Sequence, residues 1–205
     1  MLDDQAISAP FARAAFDVVA LAASAGGLTA LSQVISSLPA DFPATVVVVQ
    51  HLDPRHRSLM AEILSRRTPL QVKQAEEGDS LRPATIYIAP PNRHLLVNPD
   101  GTLSLSQSEL VHFVRPSADL LFESVAASYK DRAVAVVLTG TGSDGTMGVQ
   151  AIKKMGGTVI AQDEASSEFF GMPGAAIQTK SVDFVLPLDE IAAALVTLVM
   201  GGEIR

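Results

Sequence analysis

Three short segments of this sequence carry side chains that can do acyl-transfer chemistry. Ser24 lies in Ala22-Ala23-Ser24-Ala25-Gly26-Gly27, His51 in Gln50-His51-Leu52-Asp53, and Asp144 in Thr139-Gly140-Thr141-Gly142-Ser143-Asp144-Gly145. A serine hydroxyl is too weakly acidic to attack a carbonyl unaided. An imidazole within hydrogen-bond reach can take its proton, and a carboxylate on the far ring nitrogen fixes the tautomer and steadies the imidazolium. Each residue also has a plainer reading: Ser24 and Asp144 as helix caps, His51 as a neutral residue bonded at a strand end. Gly26-Gly27 and the loop around Thr141 and Gly142 supply backbone N–H groups that suit an oxyanion, or they are simply tight turns. No histidine pair has a zinc spacing, so neither metal nor cofactor is expected. His56 and His94 read as loop residues beside arginine, and His112 falls in an irregular stretch.

The elements around these segments give them a common address. Phe16–Ala22 is an apolar run of strand length, followed by a helix with an inward stripe of Leu28, Leu31, Ile35 and Leu38. Thr45–Gln50, with four consecutive valines, has the composition of a strand buried on both faces, and Leu59, Met60, Ile63 and Leu64 follow at helical spacing. Leu70–Gln74 and Thr85–Ala89 read as further strands. Leu95–Val97 and Leu103–Leu105 flank Asn98-Pro99-Asp100-Gly101 and predict an antiparallel hairpin. A helix over Ser117–Tyr129, strand Ala133–Thr139, a helix after Gly145, strand Thr158–Gln162, a short helix after Pro173, strand Asp183–Leu186 and a helix over Asp189–Met200 complete the chain. Strands alternating with amphipathic helices predict a doubly wound α/β fold: a mostly parallel sheet with helices on both faces, plus the hairpin. Ligand sites in such sheets lie beyond the carboxyl ends of the strands. Ser24, His51 and Asp144 all fall there.

Composition narrows the classes. The 205 residues are expected to form a short leader (1–15) and one domain (16–205), 48% hydrophobic and without internal repeats. A net charge of -7 gives no general attraction for nucleic acid. The absence of cysteine excludes disulfides and thiolate catalysis and suits a reducing, cytoplasmic setting. The uncharged run Val18–Ala40 is too polar and broken in its second half for a membrane span, and Asp3, Asp4 and Asp17 argue against a signal peptide.

Six segments together resemble the CheB family of chemotaxis-receptor methylesterases. They are Leu21–Gly27, Gln50-His51, Leu138–Gly145, Tyr87-Ile88-Ala89-Pro90-Pro91, Arg115–Phe122, and Ala161–Glu164 with Gly171-Met172-Pro173. The resemblance runs from about Val18 to Met200 with the segments in the family's order. It implies Ser24 as nucleophile, His51 as base and Asp144 as its partner. It also implies hydrolysis of glutamate γ-methyl esters on cytoplasmic chemoreceptor helices, releasing methanol, with glutamine deamidation as a second activity. Ala25 stands where many members have threonine; its backbone N–H survives, so an oxyanion role there is kept. Members commonly carry an N-terminal receiver domain, whereas a short leader is expected here, so phosphorylation control within this chain is not expected. Acidic receptor helices or a related signalling protein are the expected partners, with Arg55, Arg93 and Arg115 as candidate docking residues.

Two rivals remain at this level. A dinucleotide-binding domain shares the strand–glycine–helix start, but it needs a third glycine near Thr29-Ala30 and an acid ending the second strand, where this chain has Gln50-His51. A non-catalytic docking module is the other. An α/β-hydrolase fits badly, because its chain order is serine, acid, histidine.

Overall fold

The computed structural model describes residues 14–51, 58–202 and 204. Its centre is a seven-stranded, wholly parallel sheet in the order β3-β4-β2-β1-β7-β8-β9. The strands are β1 Val18–Ala23, β2 Thr45–Gln50, β3 Gln71–Gln74, β4 Thr85–Ile88, β7 Ala133–Val137, β8 Thr158–Gln162 and β9 Phe184–Leu186. A separate antiparallel pair, β5 His94–Val97 and β6 Leu103–Ser106, forms the expected hairpin.

Helices cover both faces and divide the interior into two cores. On β1, Val19, Leu21 and Ala23 point into one core with α1 (Gly27–Ser36), α2 (Met60–Ser65) and α6 (Leu188–Val199). The alternate residues Val18, Ala20 and Ala22 point into the other, built from α3 (Ala118–Tyr129), α4 (Thr146–Lys154), α5 (Gly171–Gln178) and the hairpin. The period-2 alternation is thus intact inside an all-apolar strand. The hairpin is tied to α3 by Val97 N–H donating to Ser124 Oγ (3.0 Å) and Ser128 Oγ–H donating to Val97 O (2.8 Å).

Some expected details differ. Leu28, read as inward, is 39% exposed, and of the residues that follow at helical spacing Leu59 and Ile63 are 50% and 38% exposed; Leu28 and Ile63 border an open groove between α1 and α2. The buried face of α1 is Ala30, Leu31, Val34 and Ile35. Helix α5 starts at Gly171, before Pro173, which sits in the first turn where its missing N–H costs nothing. His94, read as a loop residue, opens β5 and is fully buried.

Among the described residues, no helix is long and apolar enough to cross a membrane.

Candidate active site

The sheet order places β1 between β2 and β7. Ala23 is in register with Gln50 and Ala22 with Val137, so the three chain segments that leave these strands emerge side by side. The ladder continues one step further: Ser24 N–H donates to Thr139 O (3.0 Å) and His51 N–H to Ala23 O (3.1 Å). Ser24 and His51 are therefore fixed by the sheet itself.

Gln50 reinforces this. Its Nε2 donates to Ser24 O (2.6 Å) and to His51 O (3.1 Å), bridging the backbones of both residues. Its Oε1 is buried and has no hydrogen-bond partner among the described residues. Gly27 makes room for this amide, since a Cβ there would lie 2.0 Å from Gln50 Oε1. Gly140 plays a similar part on the other side, because a Cβ there would lie 2.8 Å from Ser24 Cβ and 2.5 Å from Met172 Sδ. The glycine loop after β7 consequently packs directly on the Ser24 side chain. Spacing in the sequence suggested turns; the close approaches give both glycines a more specific reason.

His51 Nε2 meets Asp144 Oδ2 at 2.8 Å, with 12% of the histidine side chain and 3% of the aspartate side chain exposed. The sequence suggested Asp144 as a cap for the helix that follows it. That helix is instead preceded by Gly145, with φ 103°, and Asp144 reaches across to the start of α3. Its Oδ1 accepts from Ser117 Oγ (2.8 Å) and Asp119 N–H (3.1 Å), and its Oδ2 accepts from Ala118 N–H (2.6 Å) as well as His51. A carboxylate at a helix N-terminus completes orphan donors and meets the positive end of the helix dipole. Burial pushes the Asp144 carboxyl upward, but the bonds from His51, Ala118, Asp119 and Ser117 outweigh it and hold the group below the ordinary value.

Two further buried groups support this anchor. His94 accepts the Ser117 N–H at Nδ1 (3.1 Å) and meets Glu109 O through Nε2 (3.0 Å). This pair of partners requires the neutral ring protonated on Nε2. Asp119, in the first turn of α3, accepts Gly148 N–H (2.8 Å) and meets His112 Nε2 at 3.1 Å. Burial, helped by the neighbouring Asp144 charge, raises the Asp119 carboxyl against the opposing bonds from Gly148 and His112. His112, Asp119 and Asp144 bring three ligand-type atoms within 4.8 Å of one another, but both carboxylates are already engaged by backbone N–H groups.

Ser24, His51, Thr141, Gly142 and Asp144 line one open cleft of about 440 Å³, bordered on one side by His112, Phe113 and Val114. Of the oxyanion candidates, Thr141 and Gly142 face this cleft. Ala25 lies at the base of α1, its carbonyl accepting from Thr139 Oγ1 at 3.1 Å. Gly171 lets α5 close on that loop, since a Cβ would lie 3.0 Å from Gly142 N, and Met172 N–H donates to Gly140 O at 2.8 Å. The docking candidates separate. Arg115 is engaged within the fold, giving Nε (3.0 Å) and Nη2 (2.7 Å) to Asn92 Oδ1 and Nη1 to the carbonyls of Gln107 (3.1 Å) and Ser108 (2.6 Å). Arg93 is exposed but does not line the cleft. Arg55 lies outside the described residues. Sequence reasoning missed Gln50, Ser117 and His94 as supports; only the position of Gln50 beside His51 offered a signal.

Known proteins share the sequence and the fold of this chain. The sequence model described as CheB methylesterase matches residues 19–195. A relative from Leptospira interrogans is 39% identical over 183 residues, 89% of this chain and 95% of that protein. A Moorella thermoacetica protein named protein-glutamate methylesterase/protein-glutamine glutaminase is 42% identical over 197 residues, and this chain spans 46% of its length. The crystal structure of the Thermotoga maritima CheB methylesterase catalytic domain superposes with a TM-score of 0.87 at 39% identity, covering 90% of this chain and 100% of that one. The chain belongs to the CheB methylesterase family.

Proposed function

We propose that residues 16–205 form a serine esterase that hydrolyses glutamate γ-methyl esters on cytoplasmic chemoreceptor helices or a related signalling protein. The observation that carries this reading is the buried His51–Asp144 bond facing a cleft shared with Ser24. With Nε2–H donated to Asp144, the ring nitrogen left to act as base is Nδ1. In this mechanism Nδ1 takes the Ser24 proton as Oγ bonds to the ester carbonyl carbon. Asp144 steadies the resulting imidazolium, and N–H groups of the Thr141–Gly142 loop, with Ala25, stabilise the oxyanion. The imidazolium then protonates the departing methoxide, releasing methanol and leaving an acyl-serine. Water, deprotonated by the same imidazole, attacks the acyl carbon; the bond to Ser24 Oγ breaks, the imidazolium returns the proton to Oγ, and the glutamate carboxylate is freed. A glutamine side chain would follow the same route with ammonia leaving, and the name of the Moorella relative supports this second activity.

Ser24→Ala tests the assignment. Ser24 is held through its backbone N–H and C=O, which alanine retains, so the variant is expected to fold as the parent does. Methanol release from a methylated receptor fragment should fall at least about 10³-fold. Release at the parental rate refutes the nucleophile.

A further inference from the structure

The segment bordering the cleft, Val111 to Val114, is a two-residue hairpin, closed by Val111 N–H to Val114 O (3.2 Å) and Val114 N–H to Val111 O (2.9 Å). Its central residues, His112 and Phe113, both have left-handed φ values of 48° and 64°. A type I′ turn demands that conformation, and Asn-Gly supplies it most readily. A phenylalanine there is strained by its own Cβ and bulk. Phe113 is also 94% exposed, and Leu110 just before the hairpin is 53% exposed. Solvation of a whole aromatic side chain and an unfavourable backbone conformation therefore coincide at one residue on the rim of the catalytic cleft.

The hairpin is not loose. His112 Nε2 bonds the buried Asp119 on α3 at 3.1 Å, and the preceding Glu109 carbonyl is held by His94 at 3.0 Å. Arg115 grips the Gln107 and Ser108 carbonyls on the same loop. The ring is thus presented from a braced support, the condition under which an aromatic residue contributes binding without a large ordering cost.

We propose that Phe113 is a specificity-determining residue that docks an apolar side chain of the substrate helix, one turn from the methylated glutamate. The proposal rests on the esterase reading above, which requires a substrate segment to enter this cleft. On a helix, residues three and four away from the modified glutamate share its face, so a partner that delivers the ester to Ser24 presents such a residue to the cleft rim. Phe113 would then select methylated glutamates in an amphipathic helix over those in a fully polar one.

The test uses the full chain and two synthetic helical peptides, each with one γ-methyl glutamate. One carries leucine three and four residues to either side, and the other carries glutamine, an equally good helix former, at those positions. The parent enzyme is expected to prefer the leucine peptide about tenfold in kcat/KM, through KM, which corresponds to about 1.4 kcal/mol. Phe113→Ala should abolish the preference, and Phe113→Trp should retain it. Phe113→Gly, which relieves the backbone, should abolish the preference while unfolding at no lower urea concentration than the parent. An unchanged preference in the alanine and glycine variants overturns the docking role while leaving the esterase reading intact. Failure of the parent to release methanol from either peptide or from N-acetylglutamate γ-methyl ester amide overturns both.

Discussion

Replacing Asp144 by asparagine tests how the carboxylate works, because the substitution keeps its shape and removes its charge. The two oxygens accept four donors between them: Ser117 Oγ and Asp119 N–H on one, Ala118 N–H and His51 Nε2 on the other. An amide offers one oxygen and one NH2 group. Whichever way it turns, the NH2 faces a backbone N–H that cannot rotate away, either Ala118 or Asp119. A buried donor left without a partner costs about 1–3 kcal/mol, and the loss of negative charge at the α3 N-terminus adds about 0.3–2 kcal/mol. Asp144→Asn should therefore lose about 1–5 kcal/mol at pH 7, read from urea unfolding with an unchanged slope. If the NH2 takes the His51 side, the ring must accept there and carry its proton on Nδ1, where it cannot serve as base. The rate of methanol release should then fall about 10³- to 10⁴-fold. The pH dependence adds a second reading. Asp144 titrates below its ordinary value when folded, so its stabilising contribution is complete above the unfolded pKa and vanishes as pH falls through the folded one. That acid-side loss should shrink in the variant. An unfolding midpoint and a turnover equal to the parent's would show that the buried charge anchors nothing.

Two further outcomes follow from the supporting residues. Gly27→Ala puts a methyl 2.0 Å from Gln50 Oε1 and should displace the amide that bridges Ser24 and His51, lowering kcat at least about tenfold and stability by roughly 1–3 kcal/mol; steady-state kinetics and urea unfolding check both. Burial chiefly, with the Arg115 charge, holds the His94 imidazole below its ordinary pKa of 6.5 against the opposing Glu109 carbonyl and Asp144. Its contribution is then complete above the unfolded pKa and is lost as pH falls below it, so the urea midpoint of His94→Gln should vary less between pH 7 and 5 than the parent's; equal slopes would contradict the neutral-ring assignment.

The elements read most directly from the sequence are those whose burial is two-sided. Thr45–Gln50 and Thr158–Gln162 are found with the bounds their apolar runs suggest, since a strand covered on both faces carries its signal in every residue. Helix stripes were less reliable. Leu28 and Ile63 keep helical spacing but face an open groove, and periodicity alone does not say whether anything covers a face. The three strand-end residues were legible because topology puts strand ends together. Their support was not, because it is non-local: Asp144 caps a helix whose first turn lies 25 to 27 positions earlier, and His94 meets Ser117 across 23. Arg115 shows the same gap in reverse, since a cation that looks available in the sequence is engaged by Asn92 and two carbonyls.

The joining of Asp144 to the start of α3 also makes the chemistry a late property of the chain. Hydroxyl, imidazole, carboxylate and the amides that cradle it come from positions 24, 51, 144 and 117–119, so no stretch that fails to reach from Ser24 to Asp144 holds the whole set. A nascent or partly unfolded molecule would have a serine without its proton acceptor poised, and indiscriminate ester cleavage would be withheld until both halves of the polypeptide have met. Recovery of turnover during renaturation should accordingly coincide with completed tertiary closure rather than with early helix formation.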